Sequence, residues 1–322
     1  MTTAPNRESF SQILPDLQLA LDSVSIGEAK TCWMKYKLSI IDGWQKPGDS
    51  VHFDFGIFFH SATEEYHKVR ALPGATSADA LDAAVNRALV DTWDNNLQRP
   101  WASDDPNKNR ASLIRSIIWY FTAFETDSLK TVILSTGEPA IEIPFSLDLD
   151  IKSRLTGESF ILCGRLDRLV EKGENWITDV KTTKFTVNQG YFARFSPDNQ
   201  VSCYSLAGLM LFKLPIAGVI IDAVQLAVGF PRFRRGFIAR SKPQLEEWLK
   251  DLHRLISDLE RNIYDNHWPM NDKACGIPHV DERTGEMRGG CQFREICSSS
   301  PVMREKLLEL KFKKRYWDPL NR

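Results

Sequence analysis

Two short segments near the middle of the chain hold carboxylates whose spacing could bind a metal ion. They are the strand-like GRLDRL, which contains Asp167, and TDVKTTK, which contains Asp179 and Lys181. Side chains alternate along a strand, so Asp179 and Lys181 are expected on one face. Aspartate is depleted in strands, and carboxylates held together in a partly buried site repel unless a cation joins them. Hard oxygen ligands of this kind select Mg²⁺ or Mn²⁺.

The chemistry that such a site would support is phosphodiester hydrolysis, because a bound cation can activate water and neutralise a phosphate oxygen. Lys181 would orient the water or stabilise the developing negative charge. The D-x-K pattern is short, however, and arises often by chance. Asp167 and Asp179 could equally be strand-edge charges that pair with Arg165, Arg168 and Lys181.

The elements around these motifs change in character along the chain. Apolar residues at helical spacing predict helices within 25–41, 54–70, 77–96 and 110–126. Strand-like runs follow at 140–149, 159–170 and 176–181, and the turn EKGEN joins the last two into a hairpin. A helix at 197–212, strands at 218–228 and 233–239, and a helix at 242–264 come next. This order predicts an α/β fold with a mixed central sheet flanked by helices.

The two strand motifs, read together with the helix that follows them, resemble the PD-(D/E)xK nuclease superfamily and specifically its RecB-like branch. That helix carries Gln200 and Tyr204 in the pattern Q-x-x-x-Y, one turn apart on a single face. An upstream G-x-x-x-H pattern, from Gly56 to His60, also matches the branch. A lone histidine on an apolar helix face is usually a core residue, but the later motifs in the same order favour a ligand.

The resemblance implies a restriction-endonuclease-like core and a metal-dependent deoxyribonuclease, expected to be an exonuclease acting on ends or single strands. It implies that Asp167 and Asp179 hold Mg²⁺ or Mn²⁺ with help from His60 and the backbone carbonyl of Val180, while Lys181 assists catalysis. It further implies that Gln200 and Tyr204 contact the DNA backbone and the active-site lysine. Glu142 stands where many relatives carry a glutamate, which favours an outer-sphere role or a structural salt bridge equally.

The main alternative function is a non-catalytic DNA-binding or recombination subunit that works in a larger complex, with a helicase or recombination protein as its partner. The presence of every expected active-site residue type favours the enzyme. We expect one nuclease domain over residues 1–322. Within it, 72–128 is expected to be a helical insertion, and the turn-rich segment 266–300 is expected to close onto the N-terminal helix.

Four cysteines require an explanation apart from the nuclease motifs. The first residues, MTTAPNRESF, have no apolar h-region, so we expect no secretory signal and favour a metal site over disulfides. Cys163 and Cys203 are expected in the core, which leaves one early and three late cysteines: Cys32, Cys275, Cys291 and Cys297. Their distribution resembles the iron–sulfur staple of several RecB-like nucleases and implies a [4Fe–4S] cluster. The fifteen residues between Cys275 and Cys291 depart from the usual spacing. A zinc site that uses His279 is therefore the alternative.

A basic run with an interleaved aromatic residue is the expected DNA-binding segment. It contains Arg232, Arg234 and Arg235 around Phe233, a composition that suits phosphates and stacked bases, although it could also be a solvated face. The chain as a whole has 322 residues and a formal net charge of -1, which excludes a protein that is basic overall. It shows no apolar leader and no membrane-length apolar run, so a cytoplasmic protein without membrane contacts is expected.

Overall fold

The computed structural model describes residues 7–48, 51–276, 279–280, 287–288 and 290–320, with the backbone alone at 279–280 and 287–288. The α-helices are α1 (Ser23–Thr31), α2 (Trp33–Tyr36), α3 (Val51–Arg70), α4 (Ser77–Asp91), α5 (Arg110–Ala123), α6 (Gln189–Ala193), α7 (Asn199–Phe212), α8 (Lys242–Tyr264), α9 (Arg294–Ser298) and α10 (Pro301–Lys311). A π-helical turn covers Lys37–Ile41, and a 3-10 turn covers Asp272–Cys275.

The strands are β1 (Ala20–Leu21), β2 (Trp44–Gln45), β3 (Trp93–Asp94), β4 (Arg99–Pro100), β5 (Lys130–Thr131), β6 (Ile141–Lys152), β7 (Ser159–Lys172), β8 (Glu174–Thr183), β9 (Ile216–Ala227), β10 (Phe230–Ala239), β11 (His279–Val280), β12 (Met287–Arg288) and β13 (Lys313–Lys314). Parallel and antiparallel pairs occur in the same main sheet. The predicted fold class, a mixed sheet flanked by helices, is confirmed.

The chain divides into two compact units. The cysteine unit comprises Met1–Gly48, Ser146–Gly164 and Glu246–Arg322, and the carboxylate unit comprises Asp49–Phe145 and Arg165–Leu245. The side chains of the carboxylate motifs (Asp167, Asp179 and Lys181), the upstream histidine and the Q-x-x-x-Y helix all fall in the carboxylate unit. The four candidate cysteine ligands all fall in the cysteine unit. A single nuclease domain over 1–322 stays a prediction, as does the closure of 266–300 onto the N-terminal helix.

The sheet of the carboxylate unit is built around one hairpin. Strands β7 and β8 are antiparallel, and Gly173 joins them at a φ of 72°, a left-handed conformation that glycine adopts without strain. Strand β9 then pairs with β8 in parallel, and β10 returns antiparallel to β9. Strand β5 pairs with β7 from the other side. The strands that carry the motifs are therefore held by neighbours on both edges.

Helices α3 and α5 pack against the sheet, and α4 packs against both of these helices. Aromatic residues of α3, alanines of α4 and aliphatic residues of α5 share one core cluster with Val180, Val224 and Leu226 of the sheet. Capping side chains fix where two of these helices begin: Thr76 accepts from the Asp79 N–H before α4, and Asn109 accepts from the Ser112 N–H before α5. The segment 72–128 is thus mainly helical as expected, and its status as an insertion stays a prediction.

The first helix of the cysteine unit differs from the expectation of one helix over 25–41. It is capped by Asp22, which accepts from the Ser25 N–H at 2.9 Å, while Ser25 Oγ accepts from the Asp22 N–H at 3.0 Å. The helix is then interrupted at Cys32, whose φ of -169° and ψ of 124° are those of extended backbone. The interruption places Cys32 at a corner rather than on a helix face.

Candidate active site

The candidate site lies where β7 and β8 part. Their ladder runs from the pair Lys172 and Glu174 at the turn to the pair Arg168 and Thr178. Asp167 and Asp179 are the next residue on each strand beyond that last pair. The hairpin therefore fixes both carboxylates at the end of its ladder, from positions twelve residues apart in sequence. We call His60, Asp167, Asp179 and Lys181 the fork site.

Helix α3 brings the histidine to the two carboxylates. His60 Nδ1 lies 3.2 Å from Asp167 Oδ2, which also accepts from the Val180 N–H at 3.4 Å. One ligand atom each from His60, Asp167 and Asp179 lies within 4.8 Å of the other two. Burial works to lower the pKa of His60, but Asp167 outweighs burial and raises that pKa to about 9. The imidazolium is thus held by the carboxylates that would otherwise repel each other.

Asp179 is the more deeply buried carboxylate, at 2% side-chain exposure. Burial raises its pKa to about 6, and the nearby Asp167 adds to that effect, while Lys181 opposes it. Lys181 Nζ lies 2.8 Å from Asp179 Oδ2 and 3.0 Å from Oδ1. The raised pKa means that the charged form of Asp179 is costly in this buried position. A bound metal cation would stabilise that charged form.

A chain of hydrogen bonds then runs from Lys181 to the helix that follows the hairpin. Lys181 Nζ donates to Gln200 Oε1 at 2.8 Å, and Gln200 Nε2 donates to the Tyr204 hydroxyl at 2.9 Å. The two residues are one turn apart on α7, which begins where Asp198 accepts from the Val201 N–H at 2.9 Å. The cap therefore sets the register that points Gln200 at the lysine.

The donor set of the fork site fits Mg²⁺ or Mn²⁺. Two carboxylates and one imidazole within 4.8 Å of one another are ligands that these ions accept. Lys181 already compensates one negative charge, and Asp179 remains harder to ionise than a free aspartate. A divalent ion would relieve both the repulsion and the burial cost.

Glu142 lies near the fork site but outside the ligand group. Burial raises its pKa to about 7, and the charges of Asp167 and Glu64 add to the shift. Its carboxylate is 3.7 Å from Arg165 Nη1, a loose ion pair. Glu142 also has a φ of 50°, which is uncommon for a residue with a side chain. The structural salt bridge suggested by the sequence is present in this weak form.

The three arginines of the predicted DNA-binding run have different surroundings. Arg232 and Arg234 are exposed on β10. Arg235 instead has a side-chain exposure of 12%, and its guanidinium lies 2.7 Å from Asp127 Oδ1 and 3.0 Å from Asp222 Oδ1. The carboxylates of Asp127 and Asp222 compensate the charge of Arg235 inside the protein, so we remove Arg235 from the candidate DNA-binding residues.

Arg235 belongs to a second set of buried charges, which we call the Arg235 group: Tyr120, Asp127, Asp222 and Arg235. The Tyr120 hydroxyl donates to Asp222 Oδ2 at 2.8 Å, which completes the contacts of a carboxylate that is 1% exposed. Nothing in the sequence signals this group, because its members come from α5, the loop that follows it, β9 and β10.

The four candidate cysteines lie near one another in the cysteine unit. The Cys291 N–H donates to the Cys275 carbonyl at 2.8 Å, and the Asn271 N–H donates to Cys32 Sγ at 3.3 Å. Burial raises the pKa of Cys297 to about 11, and the thiols of Cys291, Cys32 and Cys275 add to that shift. Cys163 and Cys203 are 1% exposed, as expected for core residues. The His279 side chain lies outside the described residues.

Comparison with known families identifies the chain. A family model of the PD-(D/E)XK nuclease superfamily matches residues 24–298. The chain therefore belongs to the PD-(D/E)XK nuclease superfamily, and it is a nuclease-family protein with the fold expected of one. A search of the curated proteins found no match.

Two solved structures share a distant similarity. One, from Eubacterium rectale and described as a "Putative exonuclease", is 10% identical with a TM-score of 0.43, over 91% of this chain and 97% of that chain. The other, SSO0001, is 11% identical with a TM-score of 0.29, over 71% of this chain and 92% of that chain. Across the described residues, no helix combines the length and apolar character that crossing a membrane requires.

Proposed function

We propose that the protein is a metal-dependent deoxyribonuclease of the RecB-like branch, an exonuclease that hydrolyses phosphodiesters at ends or in single strands. The observation that carries the proposal is the convergence of His60, Asp167 and Asp179 within 4.8 Å, with Lys181 bonded to Asp179. A structural set of strand-edge charges would not need the histidine from α3 in the same place.

Each residue of the fork site has a role in this proposal. His60, Asp167, Asp179 and the Val180 carbonyl would hold Mg²⁺ or Mn²⁺, and the bound cation supplies Lewis-acid chemistry toward the phosphodiester and the attacking water. Lys181 is protonated, because Asp179 outweighs burial and raises its pKa. It can therefore donate to an anionic oxygen that develops during the reaction.

The Q-x-x-x-Y helix has a positioning role. Gln200 holds Lys181 Nζ at 2.8 Å and is itself held by the Tyr204 hydroxyl at 2.9 Å. These bonds fix where the ammonium group points before substrate arrives, which reduces the reorganisation needed in the transition state. Arg232 and Arg234 are the exposed cations of β10 that remain available for DNA phosphates.

The proposed function is tested by digestion of DNA that is labelled at its ends. Linear single-stranded, linear double-stranded and circular single-stranded DNA are incubated with Mg²⁺ or Mn²⁺, and in parallel with EDTA. Metal-dependent release of nucleotides from linear DNA, with circles left intact, is the expected result. Cleavage in EDTA would contradict the metal site. Binding to DNA without cleavage under any condition would favour the non-catalytic subunit instead.

We further propose that Cys32, Cys275, Cys291 and Cys297 hold a [4Fe–4S] cluster. The four thiols fit such a ligand set, since all of them influence the pKa of Cys297. A tetrahedral zinc site with Zn–S bonds of about 2.3 Å would bring its sulfurs to within roughly 4 Å. Among the described residues, the group of three ligand atoms within 4.8 Å of one another is that of His60, Asp167 and Asp179, and the thiols form no such group. The proposal of an iron–sulfur cluster rather than zinc therefore rests on the resemblance to the iron–sulfur staple.

The cluster is tested on anaerobically purified protein. We expect a brown protein with about four irons per chain, whose colour is lost in Cys32→Ala and kept in the matched control Cys203→Ala. Because metal–ligand bonds contribute to folding energy, Cys32→Ala should also lower the melting temperature. Stoichiometric zinc, or metal retained by Cys32→Ala, would contradict the assignment.

A further inference from the structure

A buried lysine from the predicted insertion lies beside the catalytic strand. Lys108 is 4% exposed, its Nζ is 3.5 Å from Thr182 Oγ1, and it lies 5.5 Å from the centre of the Phe55 ring. Thr182 directly follows the candidate catalytic lysine on β8. None of the sequence motifs lies in the 72–128 segment. Through Lys108, however, this segment contacts β8, the strand that carries Asp179 and Lys181.

Hydrogen bonds within the loop before α5 fix the position of Lys108. The Asp105 carboxylate accepts from the backbone N–H groups of Asn107 and Lys108, at 2.9 and 3.1 Å. The same carboxylate forms a salt bridge with Lys184 Nζ, on the residue after the end of β8. One acidic side chain therefore ties the loop to the strand and brings two lysines together.

The charges at this place do not balance. Among the described residues, no carboxylate oxygen lies within the 4.0 Å of Lys108 Nζ that defines an ion pair, because the one nearby, on Asp105, pairs with Lys184. Burial lowers the pKa of Lys108 to about 8, and the charge of Lys184 lowers it further. Burial also lowers the pKa of the exposed His52, again with contributions from Lys184 and Lys108. An uncompensated positive potential is what an anion would neutralise.

The position of the group relative to the fork site suggests which anion. Gly56 faces Thr182, since a Cβ placed on it would be 3.9 Å from the Thr182 Oγ1. Gly56 is four residues before His60 on α3, and His52 is eight residues before it, which are rises of about 6 Å and about 12 Å. The group thus lies between about one and two turns along α3 from the proposed metal ligand, a distance that a few nucleotides of a bound strand would span. Phe185, 70% exposed beside Lys184, offers a ring for base stacking.

We propose that Lys184, His52 and Lys108 form a subsite for a phosphodiester of the bound strand close to the scissile one. Lys184 is exposed and contacts the phosphate as a cation, the exposed His52 donates a hydrogen bond from its neutral imidazole, and the buried Lys108 is a positioning residue whose charge strengthens the subsite. The helical segment 72–128 then acts in substrate binding. This inference rests on the proposed nuclease function, because it concerns the same DNA strand.

The test measures binding of a fluorescent single-stranded oligonucleotide in EDTA, so that no strand is cleaved. Lys184→Met should weaken binding roughly tenfold, the size of one charge-assisted hydrogen bond. It should also reduce the slope of log affinity against log salt by about 0.7, as expected for one lost phosphate contact on a single strand. Lys172→Met, which removes an exposed lysine at the far end of the same hairpin, is the matched control and should change neither quantity.

Substitution in the DNA identifies the phosphate. Oligonucleotides that carry one neutral methylphosphonate linkage, moved one position at a time, should reveal a linkage whose neutralisation weakens the wild-type protein but not Lys184→Met or Lys108→Met. Lys108→Met should also be at least as stable as the wild type, because it removes a buried charge without an ion-pair partner. A purely structural lysine would give lower stability and an unchanged methylphosphonate profile.

Several results would overturn the inference. Unchanged DNA affinity and an unchanged salt slope in Lys184→Met would do so. So would a methylphosphonate linkage that weakens binding equally in the wild type and in Lys184→Met. Both comparisons use Lys184→Met and remain informative if Lys108→Met fails to fold. Failure of the proposed function looks different: the wild-type protein would then bind DNA through this subsite and leave it intact in Mg²⁺ and Mn²⁺. If the wild-type protein cleaves DNA but Lys184→Met binds DNA equally well, the proposed function stands and the subsite proposal is wrong.

Discussion

The carboxylate unit contains two sets of buried charges that differ in how far they satisfy one another. In the Arg235 group, one guanidinium lies between Asp127 and Asp222, and Tyr120 donates to Asp222. In the fork site, two carboxylates and an imidazole converge, and Asp179 keeps a pKa near 6 despite the salt bridge with Lys181. Burial is common to both, so burial alone does not indicate function. What distinguishes the fork site is that three groups able to bind a metal lie within 4.8 Å of one another.

The largest expected effect is on cleavage at the fork site. Asp179→Asn removes a proposed ligand charge at nearly constant volume, and Lys181→Met removes the donor to the reacting phosphate. Each should reduce the cleavage rate by a factor of roughly a thousand, since a single preorganised donor or ligand contributes on that scale. Rates are measured on end-labelled DNA in Mg²⁺. Circular dichroism should show that both variants are folded. Cleavage at the wild-type rate by either variant would contradict the assignment of the fork site as the active site.

The Arg235 group should show the opposite result. Asp222→Ala leaves the buried Arg235 without one of its two carboxylates, which should lower the free energy of unfolding by about 3–5 kcal/mol. Cleavage per folded molecule should stay close to that of the wild type, because none of the proposed metal ligands and catalytic groups belongs to the Arg235 group. Urea unfolding and the digestion assay measure the two quantities. If Asp222→Ala were stable but inactive, the Arg235 group would have to be assigned to the active site.

The pH dependence of stability should separate the two sets further. Asp167 raises the pKa of His60 to about 9, above the ordinary value of 6.5. Protonated His60 therefore contributes stability that is complete below pH 6.5 and is lost as the pH rises through 9. In metal-free protein, the wild type should lose more stability than His60→Asn between pH 6 and 9.5. Parallel losses in urea unfolding of the two proteins would show that the His60–Asp167 pair is not formed.

The smallest effect is expected at the exposed arginines of β10. Arg232→Met should change the free energy of unfolding by no more than about 0.5 kcal/mol, because it is a surface substitution without a buried partner. It should nevertheless weaken DNA binding and make that binding less dependent on salt. Arg235→Met serves as the contrast and should destabilise the fold. Salt titrations of binding and urea unfolding of both variants compare the two positions, and equal destabilisation would remove the distinction.

How much the sequence could predict depends on how far apart the interacting residues lie. Alternation along β8 and the short turn to β7 were enough to bring Asp167, Asp179 and Lys181 together. Helical spacing was enough to place Gln200 and Tyr204 on one face. His60 lies far upstream, and only the family resemblance connected it to the carboxylates. Local patterns therefore predicted the hairpin and the helix, and the resemblance supplied the long-range contact.

The features that the sequence did not predict depend on partners that lie far away in the chain. The sequence shows that Arg235 is charged, but it does not show that Asp127 and Asp222 will enclose it. It likewise gives no signal that Lys108, in a polar loop, will be buried against Thr182. The single helix predicted over 25–41 was wrong because extended backbone at Cys32 interrupts it. Each of these features depends on tertiary packing rather than on local propensity.

The central claim is that the fork site, and not the Arg235 group, binds a divalent cation. The most direct measurement is a titration of metal-free protein with Mn²⁺, in which free Mn²⁺ is followed by electron paramagnetic resonance. We predict that Asp179→Ala loses tight binding that the wild type shows. The control Asp127→Asn, which leaves Arg235 its contact with Asp222, should bind as the wild type does. Unchanged Mn²⁺ binding in Asp179→Ala, or its loss in a folded Asp127→Asn, would contradict the account.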